Sequence, residues 1–340
     1  MADLEFLEHR ITARLPKLGD ATTTIEAPMT VRIDPLTGRS ARLMTDVKQP
    51  PIPRPDLSDL TADPPFCPFC ASTIERATGL IDPAITDEGR IRRGSAVVVP
   101  NVVPYSEFPT VALYDTQRHF VDLPDLTPTL VSDLLEALVA YTRGVHGIRP
   151  MWHSINANYL PPSGSSVVHP HAQSSHDDVG TTAQRDLVTR SQAWPSGSYW
   201  DRLVAAEEGG ERWIGRIGRV SFFTPWSPVG FDEVWGVVQG CPDLIDLTDD
   251  DCRDLATGMS AVFGSYHAQD LASFNWALTG GGPAPSDRYS VLLKMVSRST
   301  PIPMYRSDAT YFERLHGEAV IDQTPEQVAA TVRAHFPGAA

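Results

Sequence analysis

A chain of 340 residues, 41% hydrophobic and 21% charged, has a globular rather than a disordered composition, with room for one large domain or two of ordinary size. Its net charge of −14 argues against a nucleic-acid groove or an anionic membrane surface as partner, since both require a basic face. Four cysteines are too few for a disulfide framework, no stretch has the apolar length of a membrane span, and the N-terminus MADLEFLEHRITARLPKL lacks the apolar core of an export signal, so a cytoplasmic protein is expected.

Residues 1–65 read as a loop and strand extension. Within them RIDPLTGRSARLM (32–44) predicts two short strands joined by a Pro-Leu-Thr-Gly turn. The following VKQPPIPRPDLSDLTADPPF (47–66) is dense in proline and predicts an extended linker or a surface wrap.

Beyond this extension the chain repeats itself. Residues 97–145 and 219–267 share one order: strand, proline turn, strand, helix start, long amphipathic helix. LPDLT begins at 123 and LIDLT at 244, an offset of 121 that Pro104 and Pro225 also keep. Thr127 and Thr248 are the expected N-caps, with Asp250 and Asp251 in the first turn of the second helix. Leu134, Leu135, Leu138 and Tyr141 form one helical stripe, and Leu255, Met259, Val262 and Phe263 the other. Strand-like WHSINANYL and SSVVHPHAQ follow the first helix; SFNWALT and YSVLLKMVS follow the second. An internally duplicated α+β unit is therefore expected, with one copy in 66–190 and the other in 191–340. Residues 176–218 read as a polar, partly helical connection, and TPEQVAATVRAHF as a closing helix with a Thr cap.

Two motifs carry chemistry. FCPFC places Cys67 and Cys70 at a spacing that brings two thiolates to one tetrahedral zinc; a redox pair or two buried cysteines are the other readings. With no second C-x-x-C, His119 and His169 are the candidate remaining ligands. The second motif is His169-Pro170-His171-Ala172-Gln173. In an extended strand His169, His171 and Gln173 face one way, and Pro170 restricts His169 to extended geometry. A neutral histidine beside an amide donor and the hydroxyls of Ser165 and Ser166 suits phosphoryl or nucleotidyl transfer, where donors must stabilise charge on the equatorial oxygens. A second metal site from His169, His171 and His176 is the competing reading.

HPHAQ resembles the H-P-H-[GS]-Q nucleophile motif of the galactose-1-phosphate uridylyltransferase family, in the histidine-triad superfamily. The resemblance spans about residues 28–335. RIDPLTGR is similar to that family's N-P-L-T-G strand, FCPFC to its zinc C-x-x-C, and TQRHFVDLPDLT to its D-H-S-x-x-L-P-E-L segment. VVVPN is similar to its nucleotide-contact strand. TPWSPVGFDEVW and LIDLTDDDCRDLA fit its second half, and TYFERL resembles its G-Y-E segment near the sugar.

The resemblance implies a divergent member with duplicated histidine-triad units, antiparallel sheets packed with long helices, and usually a homodimer. It implies a two-step exchange between nucleotide-sugar and phosphorylated small-molecule substrates, by way of a covalent uridylyl-histidine. Carried over, His171 is the nucleophile, and Gln173 and Ser166 hold the transferring group. Asn101 and Asn158 contact the nucleotide, and Phe312 and Glu313 the hexose. Cys67, Cys70, His119 and His169 hold one structural zinc.

Departures are also plain. Ala172 replaces Gly or Ser. The His-x-His of the second metal site found in some relatives is missing from SVLLKMVS, and FNWALTGG lacks its upstream histidine, so that metal is expected to be absent. Lys294 on the same strand either contacts phosphate or is solvated. The TGGGPAPSD loop and SRSTPIPMYRSD further separate the chain from the galactose enzymes. Inorganic phosphate or water as acceptor, giving a phosphorylase or a hydrolase, and a non-catalytic nucleotide sensor are the rival outcomes.

Overall fold

The computed structural model describes residues 4–45, 53–301 and 307–338. The start of the proline-rich run and residues 302–306 of the PIPMYR stretch fall outside these residues. Among the described residues are fourteen strands. They are β1 (Leu7–Lys17), β2 (Asp20–Ile33), β3 (Ser40–Leu43), β4 (Ile91–Arg93), β5 (Ala96–Pro100), β6 (Thr110–Leu113) and β7 (Trp152–Tyr159). The rest are β8 (His171–Asp177), β9 (Trp213–Ile217), β10 (Val220–Phe223), β11 (Val234–Val238), β12 (Ser273–Thr279), β13 (Val291–Arg298) and β14 (Ala319–Ile321).

Ten strands form one fully antiparallel sheet in the order β4-β5-β6-β8-β7-β12-β13-β11-β10-β9. The order reads the same from both ends: each half is a run of hairpins followed by a crossover through a long helix. Asn156 pairs Gln173 in the first half as Ala277 pairs Lys294 in the second. Asn156 and Ala277, equivalent by the repeat offset, pair with each other at the β7–β12 seam, so an approximate two-fold axis passes through them. The duplicated α+β architecture expected from the sequence is the observed one.

The two crossover helices, Pro128–Ile148 and Asp249–Ala268, lie on one face of the sheet. Thr127 accepts from Leu130 N and Thr248 forms a reciprocal capping box with Asp251, which satisfies otherwise orphaned helix N–H groups. Their stripes, with Leu134, Leu138, Met259 and Phe263, bury against Ile155, Tyr159, Phe274 and Trp276. Strands β5, β6, β10 and β11 are nearly continuous apolar runs because both of their faces are covered. None of the described helices is long and apolar enough to cross a membrane.

On the opposite face the cover is incomplete. The cysteine loop, with Phe69 and Ile74, packs on β5 and β6. Helices Thr182–Ala193 and Tyr199–Glu207, from the segment read as a polar connection, pack on β11 and β13. Between them the sheet presents the polar seam of β8, β7 and β12. A smaller sheet, β1-β2-β3-β14, flanks this body. The Asp34–Arg39 turn joins β2 to β3, with Gly38 at φ +72° and the Asp34 carboxylate accepting from Thr37 N. Residues 7–33 are a long hairpin rather than loop, because Ile11, Ala13 and Leu15 register with Met29, Ala27 and Ile25 along one side.

Candidate active site and metal centre

The cysteine loop brings Cys67 and Cys70 over the end of β6 and the start of β8, where they meet His119 and His169. One ligand atom from each lies within 4.8 Å of all the others. Cys67 Sγ is 3.6 Å from His169 Nδ1, and Cys70 Sγ is 3.5 Å from His119 Nδ1 and 3.7 Å from His169 Nδ1. A tetrahedral ion with Zn–S near 2.3 Å and Zn–N near 2.0–2.1 Å would set such edges at about 3.5 Å. His169 Nε2 lies 2.7 Å from the Asp115 carbonyl, which accepts its proton and leaves Nδ1 free to ligate. These four side chains can hold one metal ion.

His171 begins β8 two residues further on. Its Nδ1 donates to the His169 carbonyl over 2.8 Å. The proton is thus assigned to Nδ1, and Nε2 keeps its lone pair. Phe69 covers the ring at 5.5 Å, and burial holds its pKa below the ordinary histidine value. Gln173 shares that face by the two-residue period. Ala172 and His176 point the other way, under the helices. His176 joins His153 at 2.9 Å and Ser174 at 2.8 Å, so His169, His171 and His176 do not form a second ligand set.

Around these two residues the seam supplies amides. Asn101, at the end of β5, donates to the Tyr105 hydroxyl over 3.1 Å; that hydroxyl donates to Gln173 Oε1 over 3.2 Å. With its oxygen engaged, Gln173 has its Nε2 donors left for a ligand. Asn156 pairs directly with Gln173 across β7 and β8. Asn158 accepts from Asn275 Nδ2 over 2.6 Å, across the junction of the two halves. Asn275 Oδ1 in turn accepts from Arg298 over 2.6 Å, and Arg298 forks onto Asp308 with two contacts of 2.6 Å. Ser166 is exposed on the loop joining β7 to β8.

Asn275, Arg298 and Asp308 line a cleft of about 380 Å³ that Glu313 also borders. Burial opposes ionisation of Glu313, but bonds from Thr310 N and Oγ1 and from Val320 N outweigh it and hold the carboxyl below its usual range. Phe312 stands outside that lining, stacked on Tyr311 at 4.5 Å and facing Arg42. In the second half, β13 places Leu292 and Lys294 where the first half has His171 and Gln173. Lys294 is not a solvated side chain: it packs over the Trp235 ring at 4.8 Å, and burial depresses its pKa despite the nearby Glu233.

Tyr105, Asn156, Asn275 and Arg298 were not singled out from the sequence. None belongs to a motif. Tyr105 lies in an exposed loop, and Asn275 and Arg298 reach Asn158 only because β7 and β12 pair across the two halves.

No protein-family model matches the chain. An uncharacterized protein of Archaeoglobus fulgidus is 27% identical over 331 residues, 96% of this chain and 98% of that one. Among solved structures, an ADP-glucose phosphorylase from Arabidopsis thaliana with bound ADP-glucose is similar at TM-score 0.67 and 16% identity, over 90% of this chain and 98% of that one. A structure described as uridylyltransferase is similar at TM-score 0.65 and 20% identity, over 90% and 98%. At these identities the likeness is one of fold: the chain shares the duplicated α+β fold of that phosphorylase and that uridylyltransferase.

Proposed function

We propose that the chain is a nucleotidyltransferase. It moves a nucleoside monophosphate, UMP in the first instance, from a nucleoside-diphosphate sugar to a sugar 1-phosphate or another phosphate acceptor. The observation that carries this reading is the state of His171: Nδ1 tied to the His169 carbonyl, the ring neutral through burial, and Nε2 free beside the Gln173 amide.

In the first step Nε2 attacks the α-phosphorus. The N–P bond forms, the P–O bond to the β-phosphate breaks, and the sugar 1-phosphate leaves with the electron pair. The Nδ1 proton stays on the ring, donated to the His169 carbonyl, and that hydrogen bond stabilises the positive charge that the ring acquires. Gln173 Nε2 and the Ser166 hydroxyl donate to the equatorial oxygens as charge builds on them. In the second step an acceptor phosphate oxygen attacks the same phosphorus and His171 leaves. Asn101 and Asn158 bind the nucleotide, and Glu313 and Phe312 serve the hexose side.

Cys67, Cys70, His119 and His169 are the residues that would hold zinc, since two thiolates and two imidazoles suit a borderline-soft ion. When bound, it pins the cysteine loop to β8 and so fixes the backbone that orients His171. This assigns residues 66–190 to the nucleophile and the metal, 191–340 to the acceptor side, and 1–65 to an extension.

A phosphorylase, with inorganic phosphate as acceptor, is the second reading. The likeness to an ADP-glucose phosphorylase favours it. Water as acceptor would give a hydrolase instead. The test is intact mass after incubation with UDP-, ADP- and GDP-sugars without acceptor, with His171→Ala as control. A gain of one nucleoside monophosphate on the wild type alone supports the reading and identifies the base. Release of that group by sugar 1-phosphate, by phosphate or by water alone then separates the three acceptors. No adduct and no turnover with any donor would overturn the reading.

A further inference from the structure

A polar chain crosses the junction of the two halves and ends beside the nucleophile. Its centre is Asn275, on β12. Asn275 Nδ2 lies 2.6 Å from Asn158 Oδ1, 3.2 Å from the Ala157 carbonyl and 3.1 Å from the Ser163 carbonyl. Its Oδ1 lies 2.6 Å from Arg298 Nη1. These partners leave the amide one orientation. A guanidinium only donates and a main-chain carbonyl only accepts, so the Asn275 oxygen faces Arg298 and its nitrogen faces Asn158. Arg298 is fixed in turn, with Nε and Nη2 both engaged by Asp308.

The orientation of Asn158 follows. Its oxygen takes the Asn275 proton, which turns its own Nδ2 outward, where no described group accepts from it. Ala157 pairs with Ala172 across β7 and β8, so one step further on Asn158 stands opposite His171. Asn158 therefore presents N–H donors beside the nucleophile, on the face that also carries Gln173. The pairing of β7 with β12 does not itself demand amides. Under the two-fold axis Asn158 and Asn275 map onto Thr279 and Ser154, which pair at the other end of the seam with hydroxyls instead. The amide pair stands only at the end that holds His171.

We propose that Asn275 is a positioning residue for the transfer: it holds the Asn158 amide with its N–H groups toward the substrate beside His171. Asn275 acts through Asn158 and not on the substrate itself. Arg298 closes the chain by binding the Asn275 oxygen. The nucleophile of the first half thus depends on side chains of the second. An electron-rich oxygen of the substrate suits the donors that Asn158 presents; a donor group in that place would not. This role rests on the transferase reading.

The experiment compares two changes at one position. Asn275→Asp keeps the size of the side chain and its bond to Arg298 but puts an acceptor where the donor was. Asn158 must then reverse and turn its oxygen to the substrate. Asn275→Ala only frees the Asn158 amide. A packing role makes alanine the worse change; the positioning role makes aspartate the worse. The rate of nucleotide adduct formation is expected to fall about fivefold in Asn275→Ala and at least about a hundredfold in Asn275→Asp. Thermal midpoints are measured on the same preparations. Should Asn275→Asp misfold, a cycle of Asn275→Ala with Asn158→Ala decides, and the double variant is expected to be no slower than Asn158→Ala alone. Additive losses, or a folded Asn275→Asp no slower than Asn275→Ala, overturn the proposal. Affinities of the same variants for UDP and ADP, by calorimetry, separate the role from the chemistry. The same order in binding, with no adduct on the wild type, sustains the positioning role and fails the transferase reading. No binding of either nucleotide to the wild type overturns both.

Discussion

His171 donates its Nδ1 proton to the main-chain carbonyl of His169, 2.8 Å away, while His169 turns its own Nδ1 toward Cys67 and Cys70. The proposed nucleophile and a candidate metal ligand are thus two residues apart, His169 in the bend that leads into β8 and His171 at its start, with Pro170 stiffening the link. A metal held by Cys67, Cys70, His119 and His169 would fix the very backbone atom that sets the tautomer of His171.

Replacing the nucleophile should therefore separate chemistry from structure. His171→Ala is expected to lower turnover by at least about a thousandfold, the scale of losing a covalent catalyst. Its metal content and thermal midpoint should stay near wild type, since the four ligands are untouched. The check is turnover and elemental analysis on the same preparation. Residual turnover within tenfold of wild type would exclude His171 as nucleophile.

Removing a ligand should do the reverse of this. Cys67→Ala leaves three ligands and is expected to lose the ion and several kcal/mol of stability, because metal binding is linked to folding of the loop that it closes. Activity should fall with it, as the His169 carbonyl loses its anchor. Elemental analysis and urea unfolding of wild type and variant are the measurements. A well-folded wild type without metal would count against the centre.

The Cys67–Cys70 pair and the shared face of His171 and Gln173 were legible because each lies in one short motif; His119 and His169 were candidates that the family resemblance joined to the cysteines, and the fold brings all four together. The duplication was legible too, since the DLT helix starts keep one offset. The Asn158–Asn275–Arg298–Asp308 chain was not. Its members are far apart in sequence and meet only through the register at the two-fold seam. The β1–β2 hairpin escaped notice for another reason: Pro16, Pro28 and the threonine run interrupt its alternation, and only the pairing of β1 with β2 shows that the apolar positions share a face.

Tyr105 offers a milder test. Tyr105→Phe removes the donor to Gln173 Oε1 and the acceptor for Asn101 while leaving the ring. One lost hydrogen bond of this kind is worth about 1 kcal/mol, or roughly fivefold. The loss is expected in kcat rather than in stability, because the side chain sits in an exposed loop. Gln173→Ala should be more damaging, and the two changes together no worse than Gln173→Ala alone. Additive losses in that double-mutant cycle would mean that Tyr105 does not act through Gln173.

Acid should weaken the contribution of two buried histidines to the fold, while burial raises the carboxyls of Asp243 to about 7 and Asp232 to about 6, which pick up protons in the folded state over the same window and work in the opposite direction. Burial pushes His153 down to about 4, with His146 contributing, and His176 well below its ordinary value for the same reason, with His153 contributing. Both are neutral in the folded protein near pH 6, where an unfolded chain already binds protons on its histidines. On these histidines the unfolded state thus takes up more protons as pH falls through about 6.5, and their contribution to stability declines from there toward pH 4. The stabilisation is fully present above 6.5. For His153 alone the loss is on the order of 3 kcal/mol across that window. The readout is therefore the difference between wild type and His153→Gln: across urea midpoints from pH 7.5 to 4.5, the variant should lose less stability with acid than wild type. Parallel profiles for wild type and His153→Gln would mean that this histidine is solvated, and that the helix–sheet packing around it is looser than its hydrogen-bonded chain implies.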